Sequence, residues 1–272
     1  MEMRKPALTN ISLLLATTIF AVPAHAADSK ATALAKQSQN PVSSLISVPI
    51  ENNANFNAGP DDKVLNVLNI KPVIPVPVSK DWNLINRFII PVVSQPGVDG
   101  TSLGRENGLG DTTYQTFFTP AKPGKWILGA GPQIQIPTHT DSRLGNNRWG
   151  AGPAVVALTM PGKWVTGALA SHMWDITGSG DEDISMTVIQ PFVNYNFGEG
   201  WYLSSAPVMT INWEAGGEQW TVPLGGGIGR VVHLGKQAVN FRASAYGNVV
   251  KPDQGSDYNI QFMAILMFPK GK

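Results

Sequence analysis

From Pro41 onward, apolar residues recur with a period of two and no helical period is sustained. Clusters of Gly, Pro, Asn and Asp interrupt the run. The pattern predicts twelve strands, near residues 44–56, 63–76, 82–93, 109–119, 126–137, 149–159, 164–176, 185–196, 201–213, 220–233, 238–250 and 258–268. In the last strand, Tyr258, Ile260, Phe262, Ala264, Leu266 and Phe268 share one face. The other face opens with Asn259 and Gln261 and then turns apolar at Met263, Ile265 and Met267. In the eleventh, Val239, Phe241, Ala243 and Ala245 alternate with Asn240, Arg242, Ser244 and Tyr246. A soluble sandwich would turn the apolar face to a core, whereas a membrane barrel turns it to lipid.

The connections separate these two readings. Tight turns (SKD, AKPGK, PGK, GEG, LGK) follow strands two, four, six, eight and ten. Longer polar loops follow strands three, five, seven, nine and eleven, among them residues 94–108, 138–148 and 178–184. Short turns on one side and long loops on the other are the outer-membrane arrangement, with the short turns periplasmic. The eight tryptophans all fall at predicted strand ends. Trp82, Trp126, Trp164 and Trp201 follow short turns, two of them in identical PGKW sequences, while Trp149, Trp174, Trp213 and Trp220 border long loops. Tryptophan favours the bilayer interface, where its ring is buried and its N–H finds a partner. Trp164 and Trp174 lie on one strand, and their separation at a tilt of ~40° spans roughly 25 Å, the height of a barrel's apolar band. These are the expected interface anchors. Pro72, Pro91, Pro132, Pro153, Pro191, Pro207 and Pro223 fit less well, because proline cannot donate to a ladder. They imply bulges, or strands that are two shorter pieces.

The N-terminus reads differently. Arg4 and Lys5 precede an apolar run, ISLLLATTIFAV, and the small-x-small site Ala24-His25-Ala26. Residues 1–26 are therefore expected to be a secretory signal peptide. Residues 27–43 form a periplasmic lead-in or short helix, and 44–272 the barrel. Without Arg4, Lys5 and Glu2 the chain carries 18 basic and 18 acidic residues, so no basic field points to nucleic acid. Charged residues are 14% of the chain, against roughly 25% in soluble domains. With no cysteine, lipoprotein attachment, disulfides and thiolate metal sites are excluded. A secreted chain with few charges and no further apolar helix has a closed barrel as its membrane solution.

Candidate chemistry is sparse. Ser171 and His172 are neighbours on a strand and point to opposite faces, which does not build a hydrolase site. Asp181-Glu182-Asp183 reads as a solvated loop tip rather than a cation site. GGGIG, Gly225 to Gly229, is followed by no helix and is not a phosphate loop. Arg87, Arg242 and Lys71 fall on the polar phase of their strands and should face the lumen. They form either a cationic constriction that selects solutes or a structural plug paired with acidic groups such as Asp111 or Glu214.

The blocks NVLNIKPVIPVPVSKDWNLINRFIIPVVSQP, GLGDTTYQTFFTPAKPGKWILGAGPQIQIPT, RWGAGPAVVALTMPGKWVTGALASHMW and NYNFGEGWYLSSAPVMTINWEA resemble a family of bacterial secreted proteins. Its members are labelled transporter, or putative MetA-pathway of phenol degradation protein, and many carry the label neuromedin U. The resemblance covers nearly all of the chain after the signal peptide and brings no catalytic residues. It implies an outer-membrane barrel that helps small molecules, aromatic ones included, to cross. One departure is that Phe268 is followed by Pro-Lys-Gly-Lys, which displaces or masks the C-terminal aromatic signal read by barrel-assembly machinery. The expectation is an all-β transmembrane antiparallel barrel of about twelve strands in the bacterial outer membrane. It would pass small solutes passively, with no cofactor or metal, no nucleic-acid partner and no catalysis. The alternatives are a closed-lumen barrel with a structural or surface-binding role and a barrel-embedded hydrolase.

Overall fold

The computed structural model describes residues 24–179 and 183–269. Most of the expected signal peptide, the tip residues Asp181 and Glu182, and the final Lys-Gly-Lys lie outside these. The first element is helix α1, Ala24–Ser38. Twelve strand positions follow. They are β1 Ile46–Ala58, β2 in two arms (Lys63–Ile70 and Val73–Pro77), β3 Trp82–Gln95 and β4 in two arms (Glu106–Leu109 and Thr112–Pro120). Next come β5 Trp126–Ile136, β6 Arg148–Thr159, β7 Trp164–Gly178 and β8 Ser185–Gly198. The last four are β9 in two arms (Trp201–Ser205 and Met209–Asn212), β10 Trp220–Leu234, β11 Gln237–Val250 and β12 Tyr258–Phe268. Each strand pairs antiparallel with its sequence neighbours. β12 also pairs with β1, from Ile46↔Phe268 to Phe56↔Tyr258, and this closes the barrel. Part of the long loop expected at 94–108 is strand, because Gln95 pairs with Glu106 and extends the β3–β4 hairpin.

Two faces follow from the alternation. Leu128 is 52% exposed and its neighbour Ile127 7%; Phe241 is 46% exposed and Asn240 1%. The outward face is an apolar band and the inward face is buried. No core lies outside the barrel wall to explain that burial. At the short-turn end it comes from the chain's own N-terminal segment.

The segment packs against the inner face of β3 to β12. Val42 joins Ile85, Phe117, Ile127, Val156, Leu158, Val165, Leu169 and Phe192, all 7% exposed or less. Leu34, Ala35 and Leu45 join Tyr202, Val231, Ala238, Ile265 and Met267. A segment tied into two clusters that draw on ten strands fills that end of the lumen. The switch of β12 from Asn259 and Gln261 to Met263, Ile265 and Met267 now has a cause, since the apolar half faces the plug. Alanine-rich α1 has good helix propensity and stops near Pro41, which disfavours helical geometry in the residue before it. Asn40 Oδ1 then accepts from the Val42 N–H at 2.9 Å, turning the chain inward.

Polar contacts hold the plug's other side. Lys36 Nζ donates to the Gly162 carbonyl at 2.8 Å and to the Met160 carbonyl at 3.3 Å, at the second PGKW turn. Gln39 and Asn196 exchange amide hydrogen bonds at 3.0 and 3.1 Å. The Tyr202 hydroxyl donates to Asn240, whose amide donates to Ser38 Oγ, each at 2.8 Å. A Cβ on Gly229 would run into the Tyr202 ring, so the glycine run of β10 makes room for a lumen tyrosine.

The prolines resolve in several ways. Pro72 and Pro207 sit between the two arms of β2 and β9, and Pro223 sits at a register shift in β10–β11. Pro132 and Pro153 lie directly opposite each other and cause no bulge. Rungs are simply missing beside them, between Gln115↔Gln133 and Phe118↔Ala130, and between Ala151↔Trp174 and Ala154↔Ser171. Register is the same on either side of each gap. At both gaps the glycine before the proline lies tight against a neighbouring backbone, and a Cβ on Gly131 or Gly152 would fall on the carbonyl oxygen of Thr116 or His172. Gly131→Val or Gly152→Val is therefore expected to force the wall apart at about 1–3 kcal/mol. The folded, heat-modifiable form on gels should lose urea resistance, whereas Gly124→Ala, which meets nothing within contact range, should not.

Candidate functional site

Above the plug the lumen opens into a cavity of about 540 Å³. A smaller one of about 150 Å³ lies against the plug, lined by Ser38, Asn40, Ser43 and Leu45 among others. The two share Glu51, Lys71, Arg87 and Gln190, from β1, the β2 break, β3 and β8. This ring separates the larger cavity from the filled end.

The ring's charge is uneven. Lys71 Nζ lies 2.5 Å from Glu51 Oε1, and Arg242 Nη2 lies 3.9 Å from Glu51 Oε2. Arg242 also donates to Gln261 at 2.7 Å and to Ser204 at 3.3 Å. Asn53 donates to Glu51 at 3.2 Å and accepts from Gln261 at 3.0 Å, so one network ties β1, β2, β11 and β12 together. Arg87 stands apart. Its guanidinium lies 5.9 Å from the Phe117 ring centroid, and its Nη1 is buried with no hydrogen-bond partner. Lys71 and Arg242 thus share one carboxylate, and Arg87 adds a third cation to the ring without an ion pair.

The acidic partners expected from the sequence lie elsewhere. The Asp111 carboxylate sits 2.6 Å from His139 Nδ1 and accepts from the Asn146 N–H at 2.7 Å, pinning the loop after β5. Glu214 is exposed in the β9–β10 loop. The carboxylate that meets Lys71 and Arg242 is Glu51, which sequence reasoning missed. The signal was present, since Ser47, Pro49, Glu51, Asn53 and Asn55 share one phase of β1 and oppose Val48, Ile50 and Ala54.

Other side chains are placed as follows. All eight tryptophans are exposed at strand ends on the outward face, between 37% and 55%. Arg230, also missed, is stacked 4.8 Å over Trp201 at the short-turn end. Trp213 Nε1 donates to Thr187 at 2.9 Å, and Thr187 lies 2.7 Å from His172 Nδ1. His172 packs at 4.1 Å on Trp174, outside the barrel, while Ser171 lines the lumen. The Gln133 amide donates to the His172 carbonyl at 3.1 Å, opposite Pro153, which has no N–H to offer it. Among the described residues no group of three or more His, Asp or Glu is placed to hold a metal. Asp183 pairs with Arg148 at 3.0 Å.

Comparison with solved structures places this fold among outer-membrane barrels. An outer membrane channel from Pseudomonas putida F1 superposes with a TM-score of 0.64 at 16% identity, covering 84% of this chain and 97% of that one. The Salmonella typhi outer membrane phospholipase dimer with bound calcium scores 0.45 at 16% identity, covering 88% and 96%. The Pseudomonas putida toluene transporter TodX scores 0.40 at 10% identity, covering 92% and 99%. The first shows the fold, and the other two are too distant to carry an argument. No curated protein matches the chain in sequence. The model of one family matches residues 62–227, more than half of the 272 residues. The chain, a closed twelve-stranded barrel of outer-membrane type, belongs to the family described as putative MetA-pathway of phenol degradation.

Proposed function

We propose that the protein is a passive channel of the bacterial outer membrane for small solutes with an apolar or aromatic body. The observation that carries this reading is the cavity of about 540 Å³ inside the barrel. Its size falls within the roughly 300–1,000 Å³ of small-molecule sites. Export uses the N-terminal signal peptide, insertion uses barrel-assembly machinery, and the short turns face the periplasm. The exposed tryptophans anchor the wall at both lipid interfaces. Lys71, Arg87 and Arg242 set the selectivity at the level just above the plug. The opposite orientation of Ser171 and His172 supports a channel over a hydrolase. A second reading, a closed-lumen barrel acting through its long loops, has the apolar filling around Val42 in its favour.

Planar-bilayer recording of the purified mature chain separates the two. Discrete conductance steps are expected. Their reproducible absence, both in the intact chain and after removal of the plug, would leave the closed-lumen reading standing.

A further inference from the structure

The larger cavity has most of its apolar lining on one side, where Ser171, Ser185, Gln190 and Asn212 interrupt it, and most of its amides on the other, beside Ile89. On β7, β8 and β9 it is lined by Leu169, Met173, Met186, Val188 and Val208. On β1 to β5 it is lined by Asn53, Asn69, Gln115, Gln133 and Gln135, with Lys71 and Arg87 at the inner limit. In a twelve-stranded barrel, β3 and β8 stand nearly opposite. Met173, Met186 and Val188 therefore stand across the lumen from the side that carries Arg87.

Arg87 is the group without a counterpart. A guanidinium stays charged under all ordinary conditions. A buried charge is costly unless paired and hydrogen-bonded. Glu51 interacts with it through space but is committed to Lys71 at 2.5 Å and lies 3.9 Å from Arg242. No carboxylate lies within 4 Å of Arg87 among the described ion pairs, and its Nη1 has no hydrogen-bond acceptor. The Phe117 ring centroid lies 5.9 Å from the guanidinium carbon, and Arg87 lines both cavities.

From Arg87, which lines the cavity without an ion pair of its own, and the apolar residues facing it, we infer that the lumen is a binding site for amphipathic monocarboxylates. Arg87 takes the carboxylate, and the aryl or alkyl body lies against Met173, Met186 and Val188. Guanidinium and carboxylate match in planar geometry, and charge-assisted hydrogen bonds are the stronger kind. Methionine thioethers accommodate aromatic bodies of varied shape. The inference rests on the channel reading for its purpose but not for its test.

The test uses the full mature chain in detergent micelles, titrated by calorimetry with 4-phenylbutyrate, 4-phenylbutanol and butyrate. The acid is expected to bind roughly tenfold or more tightly than either the neutral alcohol or the truncated acid, as one charged hydrogen bond allows. Arg87→Gln should remove the preference for acid over alcohol, and Arg87→Lys should keep part of it. Equal binding of acid and alcohol by the unaltered protein overturns the proposal, and that comparison needs no variant to fold. Binding of butyrate as tight as that of the aryl acid would reduce the site to a simple anion site and also overturn it. Preserved acid preference in a protein that shows no conductance would discard the channel reading and leave the binding site intact.

Discussion

Replacing Val42 with Asp is expected to raise single-channel conductance several-fold and to expose residues 30–45 to protease. Val42 is 4% exposed and sits among Phe117, Ile127, Val156 and Leu158 inside the barrel. The change removes an apolar contact worth about 1.5–3 kcal/mol. It also places a carboxylate among apolar side chains, which costs several kcal/mol more unless the segment leaves. The plug is also held by the packing of Leu34, Ala35 and Leu45 and by polar contacts that include Lys36 with the β6–β7 turn, the Gln39–Asn196 pair and the Asn240–Ser38 bond. None of these polar contacts can offset that penalty alone. Deletion of residues 27–44 should produce the same conductance without the intermediate, partly docked states. Conductance unchanged in both variants would mean that the plug is not what limits passage.

The second large effect is expected at Glu51. Changing it to Gln leaves Lys71, Arg87 and Arg242 facing one another with no carboxylate. Removing one partner of a buried pair costs about 3–5 kcal/mol. The side chains are 10% (Glu51), 22% (Lys71) and 12% (Arg242) exposed, and cavity water screens them, so the lower end of that range applies here. The urea midpoint of the folded band on semi-native gels should fall accordingly. The double change Glu51→Gln with Lys71→Met should recover most of the loss, because the nearest orphaned charge goes with it. Reversal potentials in a salt gradient should shift toward anions in the single variant and return in the double. A Glu51→Gln protein as stable as its parent would show that the four groups do not act together.

Much of the fold was legible because a barrel wall writes itself into sequence at period two. Phe241 against Asn240 and Leu128 against Gly129 state which face is which, and tryptophans mark strand ends on both sides, with one at each end of β7 and β9. The plug was not legible as a plug. Residues 27–43 read as a lead-in or short helix, and their contacts are made with residues up to two hundred positions away, as Asn240 with Ser38. Its trace was nevertheless in the wall, where the lumen phase of β12 changes from Asn259 and Gln261 to Met263, Ile265 and Met267. That change reads as weakened alternation unless something apolar is known to lie inside. The charged ring was half legible for a similar reason. Phase alone put Lys71, Arg87 and Arg242 inward, but which carboxylate met them depended on register across closure, where β1 and β12 join residues at opposite ends of the chain. Asp111 looked equally suitable by type and is instead consumed by His139 and the loop after β5. The prolines were ambiguous because a missing N–H can be met by a break, a bulge or a silent rung, and this barrel uses all three.

The short-turn end has an interior built like that of a soluble protein, with the N-terminal segment as one of its layers. On the proposed channel function, passage through that end requires a local unfolding event rather than the swing of a hinged door. The fraction of time the barrel stands open becomes a thermodynamic quantity, set by the free energy of undocking residues 30–45. Every 1.4 kcal/mol removed from that docking multiplies the open population about tenfold. Denaturant, temperature and a bound solute that competes for the inner face should all tune permeability by the same equilibrium. Mutations scored by their effect on plug stability would then predict current, with no reference to the width of the pore.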